Sequence, residues 1–271
     1  IFSNNLYDLK KCNVFIVSVP TPINKKKEPD LKLIKEACSS IGSILKLNDV
    51  VIFESTVYPG LTEELCVPIL EKISKLQYNL EFFCGYSPER INPNDKKHNL
   101  INIVKITSGS NKKTANFVNN LYKTIIKAGT YKVSSIAIAE AAKVIENSQR
   151  DLNIAFVNEL VLIFNKLQLN VNEVLKAAST KWNFLNFKPG LVGGHCIGVD
   201  PYYLTHISST KGYKPKIILS GRKVNDYMPK FIFYKIEKYF GYFKIIKNNF
   251  KVIVLGATFK ENCSDFRNSL V

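Results

Sequence analysis

Short apolar runs alternate with amphipathic helical segments over the first half of the chain, and this alternation limits the possible folds more than any other feature. The runs are rich in β-branched residues, as in Asn13–Val19 and Val50–Ser55, which is typical of parallel strands buried on both faces. Further strands are predicted at Leu80–Gly85, Ile103–Thr107 and Tyr131–Val133. Amphipathic helices are predicted from Asp30, after Gly60 and over 112–127. This order of elements predicts right-handed βαβ units on a parallel sheet.

From about Ala137 the pattern changes to helices alone. Apolar residues at helical spacing mark one long helix: Ile145, Leu152, Phe156, Leu160, Ile163, Phe164 and Leu167. Asn170 with Glu173 predicts the start of the next helix, and a further helical stretch occupies Pro215–Tyr239. The apolar run Lys251–Gly256 then predicts a fresh buried strand.

The predicted fold class is therefore α/β in three parts. Residues 1–134 form an incomplete Rossmann-like parallel-sheet domain, 135–240 a central all-helical domain, and 241–271 the start of a second Rossmann-like domain, of which the first strand is present. No GxGxxG motif occurs, so the phosphate-binding first turn of a dinucleotide fold is not in this chain. Because the chain begins without Met and stops soon after a new unit has begun, we expect a fragment of a longer protein or a truncated gene product.

The amino-acid composition limits the partners, the compartment and the metal sites that this chain can be expected to have. The formal net charge of +16 suggests nucleic acid, but the lysines are scattered over predicted loops and helix starts without a binding motif, so we expect a solvated basic surface instead. No apolar run is long enough to span a bilayer. Six cysteines without a CxxC pair, together with three histidines, predict a reduced cytoplasmic protein with no metal site.

One loop combines a thiol with three glycines. Cys196 lies among Gly193, Gly194 and Gly198, and Asp200 follows four residues later. Glycines leave little bulk around the sulfur, so a substrate can approach it closely. A thiolate is a strong nucleophile near neutral pH, and a nearby carboxylate can activate water. Taken alone, the loop fits equally well a tight turn that holds an ordinary buried cysteine.

Other polar residues follow predicted strands or share a helix face. Ser55-Thr56 and Glu89 lie at the carboxyl ends of predicted strands, where the sites of open α/β sheets occur. Lys143 and Asn147 are four residues apart, so both emerge on one face of the long helix. These two are either solvated side chains or a pair of donors that holds an oxyanion.

The order of six motifs resembles the UDP-glucose/GDP-mannose dehydrogenase family. They are Val19-Pro20-Thr21-Pro22, Glu54–Val57, Ser87–Arg90, Lys143 with Asn147, Gly193–Cys196 with Asp200, and Phe259–Asn262 with Asp265–Ser269. Two longer segments, Ser87–Pro93 and His195–Tyr203, resemble the branch that acts on UDP-N-acetylglucosamine and UDP-N-acetylgalactosamine. The resemblance covers essentially every residue of the chain.

This resemblance implies an enzyme that oxidises the C6 alcohol of a UDP-sugar twice with NAD, in the synthesis of surface polysaccharide precursors. Cys196 is implied to be the nucleophile, which traps the C6 aldehyde as a thiohemiacetal and then carries a thioester. The other implied catalytic residues stabilise the oxyanion or handle water and protons: Lys143 and Asn147 for the oxyanion, Asp200 and Thr56 for the hydrolytic water, and Glu89 as the catalytic carboxylate.

The resemblance also implies binding residues and an assembly. NAD would contact residues after two strands and one near the end of the chain: Val19, Pro20, Thr21, Pro22, Ser55, Thr56 and Arg267. The UDP-sugar would contact Glu89, Arg90, Lys143, Asn147, Phe187, Gly193, Arg222 and Lys260, the last facing the uridine diphosphate. Residues 1–134 would belong to the NAD-binding domain, 135–240 would form the dimerisation domain with the cysteine loop, and 241–271 would begin the UDP-binding domain. The expected assembly is a cytoplasmic homodimer with neither nucleic acid nor membrane as a partner.

Four alternatives remain open from the residues. The chain could be a non-catalytic remnant of such an enzyme or part of a UDP-glucose 6-dehydrogenase. It could instead be a cysteine hydrolase that pairs Cys196 with His206 or His195, or a nucleic-acid binder.

Overall fold

Five strands form one sheet within the residues that the computed structural model describes, namely 2–91, 98–194, 197–242, 251–258 and 269–271. The strands lie in chain order across the sheet: β1 Val14–Val17, β2 Val50–Phe53, β3 Phe83–Tyr86, β4 Lys105–Gly109 and β5 Thr130–Lys132. The predicted α/β class is confirmed. Strand β1 lies at the sheet edge, and Ile16 is 51% exposed, so the prediction that this strand is buried on both faces is wrong.

One strand pair departs from the parallel pattern. The pairs β1/β2, β2/β3 and β4/β5 are parallel, but β3 and β4 are antiparallel, with Gly85 opposite Gly109. A parallel pair requires a crossover connection, usually a helix. The described part of the connection from β3 to β4 contains only a short 3-10 turn, Leu100–Asn102, so the chain there returns in the opposite direction. The expectation of a fully parallel sheet is corrected at this pair.

Seven helices are described in these residue ranges. They are α1 Lys32–Gly42, α2 Val67–Ser74, α3 Lys112–Lys123, α4 Ile136–Lys166, α5 Val171–Ala178, α6 Asp200–Thr210 and α7 Lys216–Tyr242. A π-helical turn, Thr62–Cys66, leads into α2. Asn170 caps α5 as predicted, accepting a hydrogen bond from the Asn172 N–H. Helix α6 is not among the predicted elements. Within the described ranges, none of the helices is both long and apolar enough to cross a lipid bilayer.

The core lies on both faces of β2. Val51 and Phe53 belong to a large cluster with residues of α1 and α2, whereas Val50 and Ile52 pack with α3. The sheet is therefore a middle layer between two helical layers, as the continuous apolar run of β2 predicts. On β3, a Cβ added to Gly85 would lie 2.7 Å from a Val118 methyl group, so glycine permits the close packing of α3 on the sheet.

The chain divides into two compact units. The first, called here the sheet unit, comprises Ile1–Ile145 and Tyr202–Lys211. The second, called here the helical unit, comprises Glu146–Pro201 and Gly212–Val271. The predicted bounds at 134 and 240 stay predictions.

The predicted strand Lys251–Gly256 is absent from the described residues. No strand occurs between 251 and 258, and Leu255 is 91% exposed. A strand needs a neighbour that satisfies its backbone groups, and the described part of the chain pairs nothing with this segment. The prediction of a buried strand here is wrong for this chain.

Candidate functional site

The carboxyl ends of β1 and β2 are joined by side-chain hydrogen bonds. The Ser55 hydroxyl donates to the Val19 carbonyl oxygen at 2.7 Å, and the Thr21 hydroxyl donates to the Thr56 carbonyl oxygen at 2.6 Å. Pro20 and Pro22 are exposed and Thr56 is half-buried, so this rim is open to a ligand. Ligands of open α/β sheets bind at the carboxyl ends of strands. The described residues expected to contact NAD therefore form one rim at the carboxyl ends of the strands, where a dinucleotide would bind.

Tyr203 of α6 holds the backbone of the same rim by hydrogen bonds. Its hydroxyl donates to the carbonyl oxygens of Thr21 at 2.6 Å and Pro22 at 3.3 Å. The Tyr203 side chain is fully buried. Tyr203 ends the His195–Tyr203 segment, for which the family resemblance implies no role at this residue. The structure shows it holding the backbone of two residues expected to bind NAD.

Glu89 lies after β3 and is surrounded by charged groups. Burial raises its pKa, whereas the positive charges of Lys143, Lys105 and Arg90 lower it, and the Glu54 carboxylate raises it further. The Ile91 N–H donates to the Glu89 carboxylate. A carboxylate with a raised pKa among cations is suited to proton transfer.

Helix α4 has a buried polar face. Glu140, Lys143, Asn147, Asp151 and Asn158 are buried, and their spacing places them on one side of the helix. The alternative that Lys143 and Asn147 are solvated is therefore wrong. By contrast, most of the apolar residues that predicted this helix are exposed: Ile145, Phe156, Ile163 and Leu167.

Asn147 and Asp200 are brought together, as expected of residues in one site. The Asn147 amide donates to Asp200 Oδ2 at 2.6 Å, and both side chains are buried. Asp200 is the first residue of α6, where a carboxylate is favoured by the unpaired N–H groups of the helix start. Arg150 donates to Asn147 Oδ1 at 3.4 Å, which orients the amide toward Asp200.

Arg222 belongs to a buried polar network between α7 and α4. Its guanidinium lies 2.6 Å from Asp151 Oδ1, and the Asn225 amide donates to the same oxygen at 2.7 Å. Burial raises the pKa of Asp151, and the Arg222 charge opposes this shift. A Cβ added to Gly198 would lie 3.9 Å from the guanidinium nitrogens, so Arg222 also lies beside Gly198.

Replacing Arg222 with methionine is expected to destabilise the protein by about 3–5 kcal/mol, because Asp151 loses its buried cation. The pKa of Asp151 is already raised, and it rises further without the arginine. A raised folded-state pKa means that the native state holds the proton more tightly than the unfolded state does. The loss of unfolding free energy in Arg222→Met, relative to the wild type, is therefore smallest in acid and grows as the pH rises. Urea unfolding at several pH values measures it.

Lys211→Met provides the control for this prediction. Lys211 pairs with Glu64 at 3.3 Å, but both side chains are more than half exposed. Removing this pair is expected to cost less than about 1 kcal/mol. Equal losses for Lys211→Met and Arg222→Met would contradict the assignment of the Arg222 network as a stabilising core.

The remaining predicted residues are only partly described. Arg90, Phe187 and Gly193 are half-buried. His195, Cys196, Lys260 and Arg267 lie outside the described residues. The His206 ring packs 5.7 Å from the Tyr58 ring, and its pairing with Cys196 stays a prediction.

The described buried thiols differ from a reactive cysteine. Cys38, Cys66 and Cys84 are fully buried. The hydrogen bond with the neighbouring Cys38 thiol is the main cause that raises the pKa of Cys66, and burial is the second. Burial also raises the pKa of Cys84. The thiols of Cys66 and Cys84 therefore stay protonated and act as small apolar side chains.

Several buried polar residues were not predicted. Glu140 accepts hydrogen bonds from Gly60 N–H at 2.6 Å and from Thr62 N–H at 3.0 Å and hydroxyl at 2.6 Å, which caps the turn before α2. Lys105 and Asp151 are buried and paired as well. A signal was available for α4, since Glu140, Lys143, Asn147 and Asp151 recur at spacings of three and four.

Two family models match the chain. Residues 2–126 match the NAD binding domain of the UDP-glucose/GDP-mannose dehydrogenase family. Residues 137–227 match the central domain of the same family.

Known relatives and structures agree with these matches. The UDP-N-acetyl-D-glucosamine 6-dehydrogenase of Pseudomonas aeruginosa is 58% identical over 270 residues, covering 100% of this chain and 64% of that protein. The protein of the same name from Salmonella typhi is 55% identical with the same coverage. A solved UDP-D-ManNAc dehydrogenase from Pyrococcus horikoshii has a TM-score of 0.91 at 32% identity, covering 99% of this chain and 63% of that one. This chain thus spans about 64% of the length of the curated relatives.

Proposed function

Because this chain belongs to the UDP-glucose/GDP-mannose dehydrogenase family, we propose that the whole protein oxidises the C6 alcohol of a UDP-N-acetylhexosamine to a carboxylate with two equivalents of NAD. The observation that carries the proposal is the buried polar face of α4, where Lys143 is buried and Asn147 donates to Asp200. A cation and an amide removed from water can stabilise a developing oxyanion strongly, whereas solvated ones cannot.

Cys196 is the proposed nucleophile. Its thiolate adds to the C6 aldehyde, forming a carbon–sulfur bond, and the resulting hemithioacetal becomes a thioester on the second oxidation. Covalent attachment keeps the aldehyde in place while the cofactor is exchanged. Lys143 favours the thiolate and, with Asn147, stabilises the tetrahedral oxyanion.

Hydrolysis of the thioester requires an activated water. Asp200 accepts the proton of that water, and Thr56 helps to place it. The buried hydrogen bond from Asn147 orients Asp200, so one amide serves both the oxyanion and the carboxylate. Glu89, whose pKa is raised by burial, acts as the second proton-transfer group.

When bound, NAD would supply the hydride acceptor for both oxidations. Val19–Pro22 with Ser55 and Thr56 would hold it at the rim described above, and Arg267 would add a contact. Arg90, Phe187, Gly193, Arg222 and Lys260 would hold the UDP-sugar. Identity of 58% and 55% to UDP-N-acetyl-D-glucosamine 6-dehydrogenases, against 32% to a mannosamine enzyme, favours N-acetylglucosamine as the sugar.

We further propose a cytoplasmic homodimer that supplies a surface polysaccharide precursor. Free thiols at Cys12, Cys38, Cys66 and Cys84 suit a reducing compartment. The exposed apolar residues of α4 and α7, among them Phe156, Ile217 and Phe233, would be covered by a second copy. The three-domain bounds at 134 and 240 are part of the same proposal.

The test is NADH formation by the full-length protein with UDP-N-acetylglucosamine, UDP-N-acetylgalactosamine and UDP-glucose. We expect two NADH per uronate formed and the highest kcat/KM with UDP-N-acetylglucosamine. Preference for UDP-glucose would support the UDP-glucose alternative. Absence of turnover with all three sugars would support the remnant hypothesis and overturn the proposed activity.

A further inference from the structure

Lys105 of β4 is a buried lysine that the proposed mechanism does not use. The residue is 5% exposed, and its Nζ lies 3.1 Å from Glu54 Oε1. The same nitrogen donates to the carbonyl oxygens of Ser87 at 3.3 Å and Pro88 at 3.2 Å, and it lies 4.7 Å from the centre of the Tyr122 ring. Burying an ammonium group is costly unless it is paired, so these contacts require an explanation.

We propose that Lys105 is a positioning residue that orients Glu89 by holding the peptide groups just before it. The Pro88 carbonyl belongs to the peptide bond that joins Pro88 to Glu89. Fixing this carbonyl fixes the plane of that bond and hence the direction in which the Glu89 side chain leaves the backbone. The inference rests on the proposed function, in which Glu89 transfers protons.

The ammonium group is itself held in place. Glu54 Oε1 accepts a hydrogen bond from the Tyr122 hydroxyl at 2.5 Å and also pairs with Lys105. A lysine has three N–H donors, and Glu54, Ser87 and Pro88 provide three acceptors. Lys105 therefore acts through the segment before Glu89 rather than by binding the substrate.

The positive charge of Lys105 also affects Glu89, in addition to the contacts that orient it. Lys105 and Lys143 both oppose the rise of the Glu89 pKa that burial causes, and Arg90 adds to them. Glu54 acts against them. Lys105 thus supports the ionised form of the carboxylate that it orients.

The test compares Lys105→Met with Lys46→Met in the full-length protein. Lys46 is the control, because its Nζ also contacts two carbonyl oxygens, those of Lys10 and Cys12 at 2.6 Å, and one carboxylate, Asp49 at 3.5 Å. These contacts lie at the opposite end of the strands, and the Lys46 side chain is 42% exposed. We expect Lys105→Met to lower kcat by about 10- to 100-fold, the range for a misplaced catalytic group, with a smaller change in KM. Lys46→Met is expected to leave kcat unchanged.

A double-mutant cycle with Glu89→Gln separates positioning from a general structural role. If Lys105 acts through Glu89, Lys105→Met should have little further effect on kcat in the Glu89→Gln background. An equal fold-loss in both backgrounds, or a rise in KM alone, would overturn the positioning role while leaving the proposed function intact. A wild-type protein without turnover would instead overturn the proposed function and the inference together.

A second variant covers the case in which Lys105→Met does not fold. Loss of the lysine leaves Glu54 without its cation, which can destabilise the protein. The double substitution Lys105→Met/Glu54→Gln removes both charges, and thermal unfolding reports whether it folds. We expect the same loss of kcat as for Lys105→Met, and wild-type kcat in this variant would contradict the proposal.

Discussion

Replacing Cys196 with serine is expected to abolish uronate formation, lowering kcat by roughly 10⁴- to 10⁶-fold, the range observed when an enzyme loses its nucleophile. The serine hydroxyl is a far weaker nucleophile at neutral pH, so the aldehyde is no longer held covalently. The measurement is NADH formation together with product analysis. Release of free aldehyde without uronate is the expected product pattern.

Cys12→Ser is the matched control for this substitution. Cys12 is an exposed free thiol before β1, and its replacement should leave kcat unchanged. Alkylation provides a second readout, since the buried Cys66 and Cys84 have raised pKa values and should resist it. We expect the UDP-sugar to protect Cys196 alone. Normal uronate formation by Cys196→Ser would refute the covalent mechanism.

Asp200→Asn is expected to stop the reaction after the second oxidation and to lower steady-state turnover by about 10²- to 10⁴-fold. The substitution removes the base but keeps the shape, and the new amide oxygen can still accept the hydrogen bond from Asn147. A rapid burst of two NADH per subunit should then be followed by very slow release of the uronate product. Mass spectrometry should detect the acyl group on Cys196.

The control for this variant is Asp49→Asn. Asp49 is also a fully buried aspartate, but it lies before β2, at the opposite end of the strand from Ser55. The Asp49→Asn variant should alter the stability of the protein without producing a burst of NADH. Steady turnover of Asp200→Asn at the wild-type rate, or a burst of one NADH, would exclude Asp200 from thioester hydrolysis.

The sheet was predictable because its strands are short apolar runs between amphipathic helices. Strand β2 is buried on both faces, as its sequence predicts. The antiparallel pairing of β3 with β4 was not predictable, because strand direction depends on the connection and not on the strands. Helix α6 was missed because it begins directly after a glycine-rich loop and carries little apolar periodicity.

Helix α4 was predicted for the wrong physical reason. Its apolar stripe has helical spacing, but Phe156 and Leu167 are more than half exposed. The buried face is polar, and its residues find partners that are distant in sequence, such as Asp151 with Arg222. Periodicity identifies a helix but does not say which face is buried when both faces repeat.

The site residues named from the sequence are those that carry family motifs, and their roles stay predictions. The contact of Asn147 with Asp200 fits the roles expected for both. Lys105 and Tyr203 were not predicted, because a single lysine or tyrosine in an element has no local signal. Their partners lie 17 or more residues away in the sequence.

The buried polar face of α4 forms a row of residues along the helix, and this polar row also restricts changes in the length of the helix. Glu140, Lys143, Asn147 and Asp151 each have a fixed angular position, and Glu140 is anchored to Gly60 and Thr62. One residue inserted after Lys143 would turn everything beyond it by about 100°, since a helix has 3.6 residues per turn. Asn147 and Asp151 would then leave the row. Substitutions on the outer face leave the row intact, whereas a single-residue insertion or deletion disrupts it, so the length of this helix is constrained independently of the residues on its outer face.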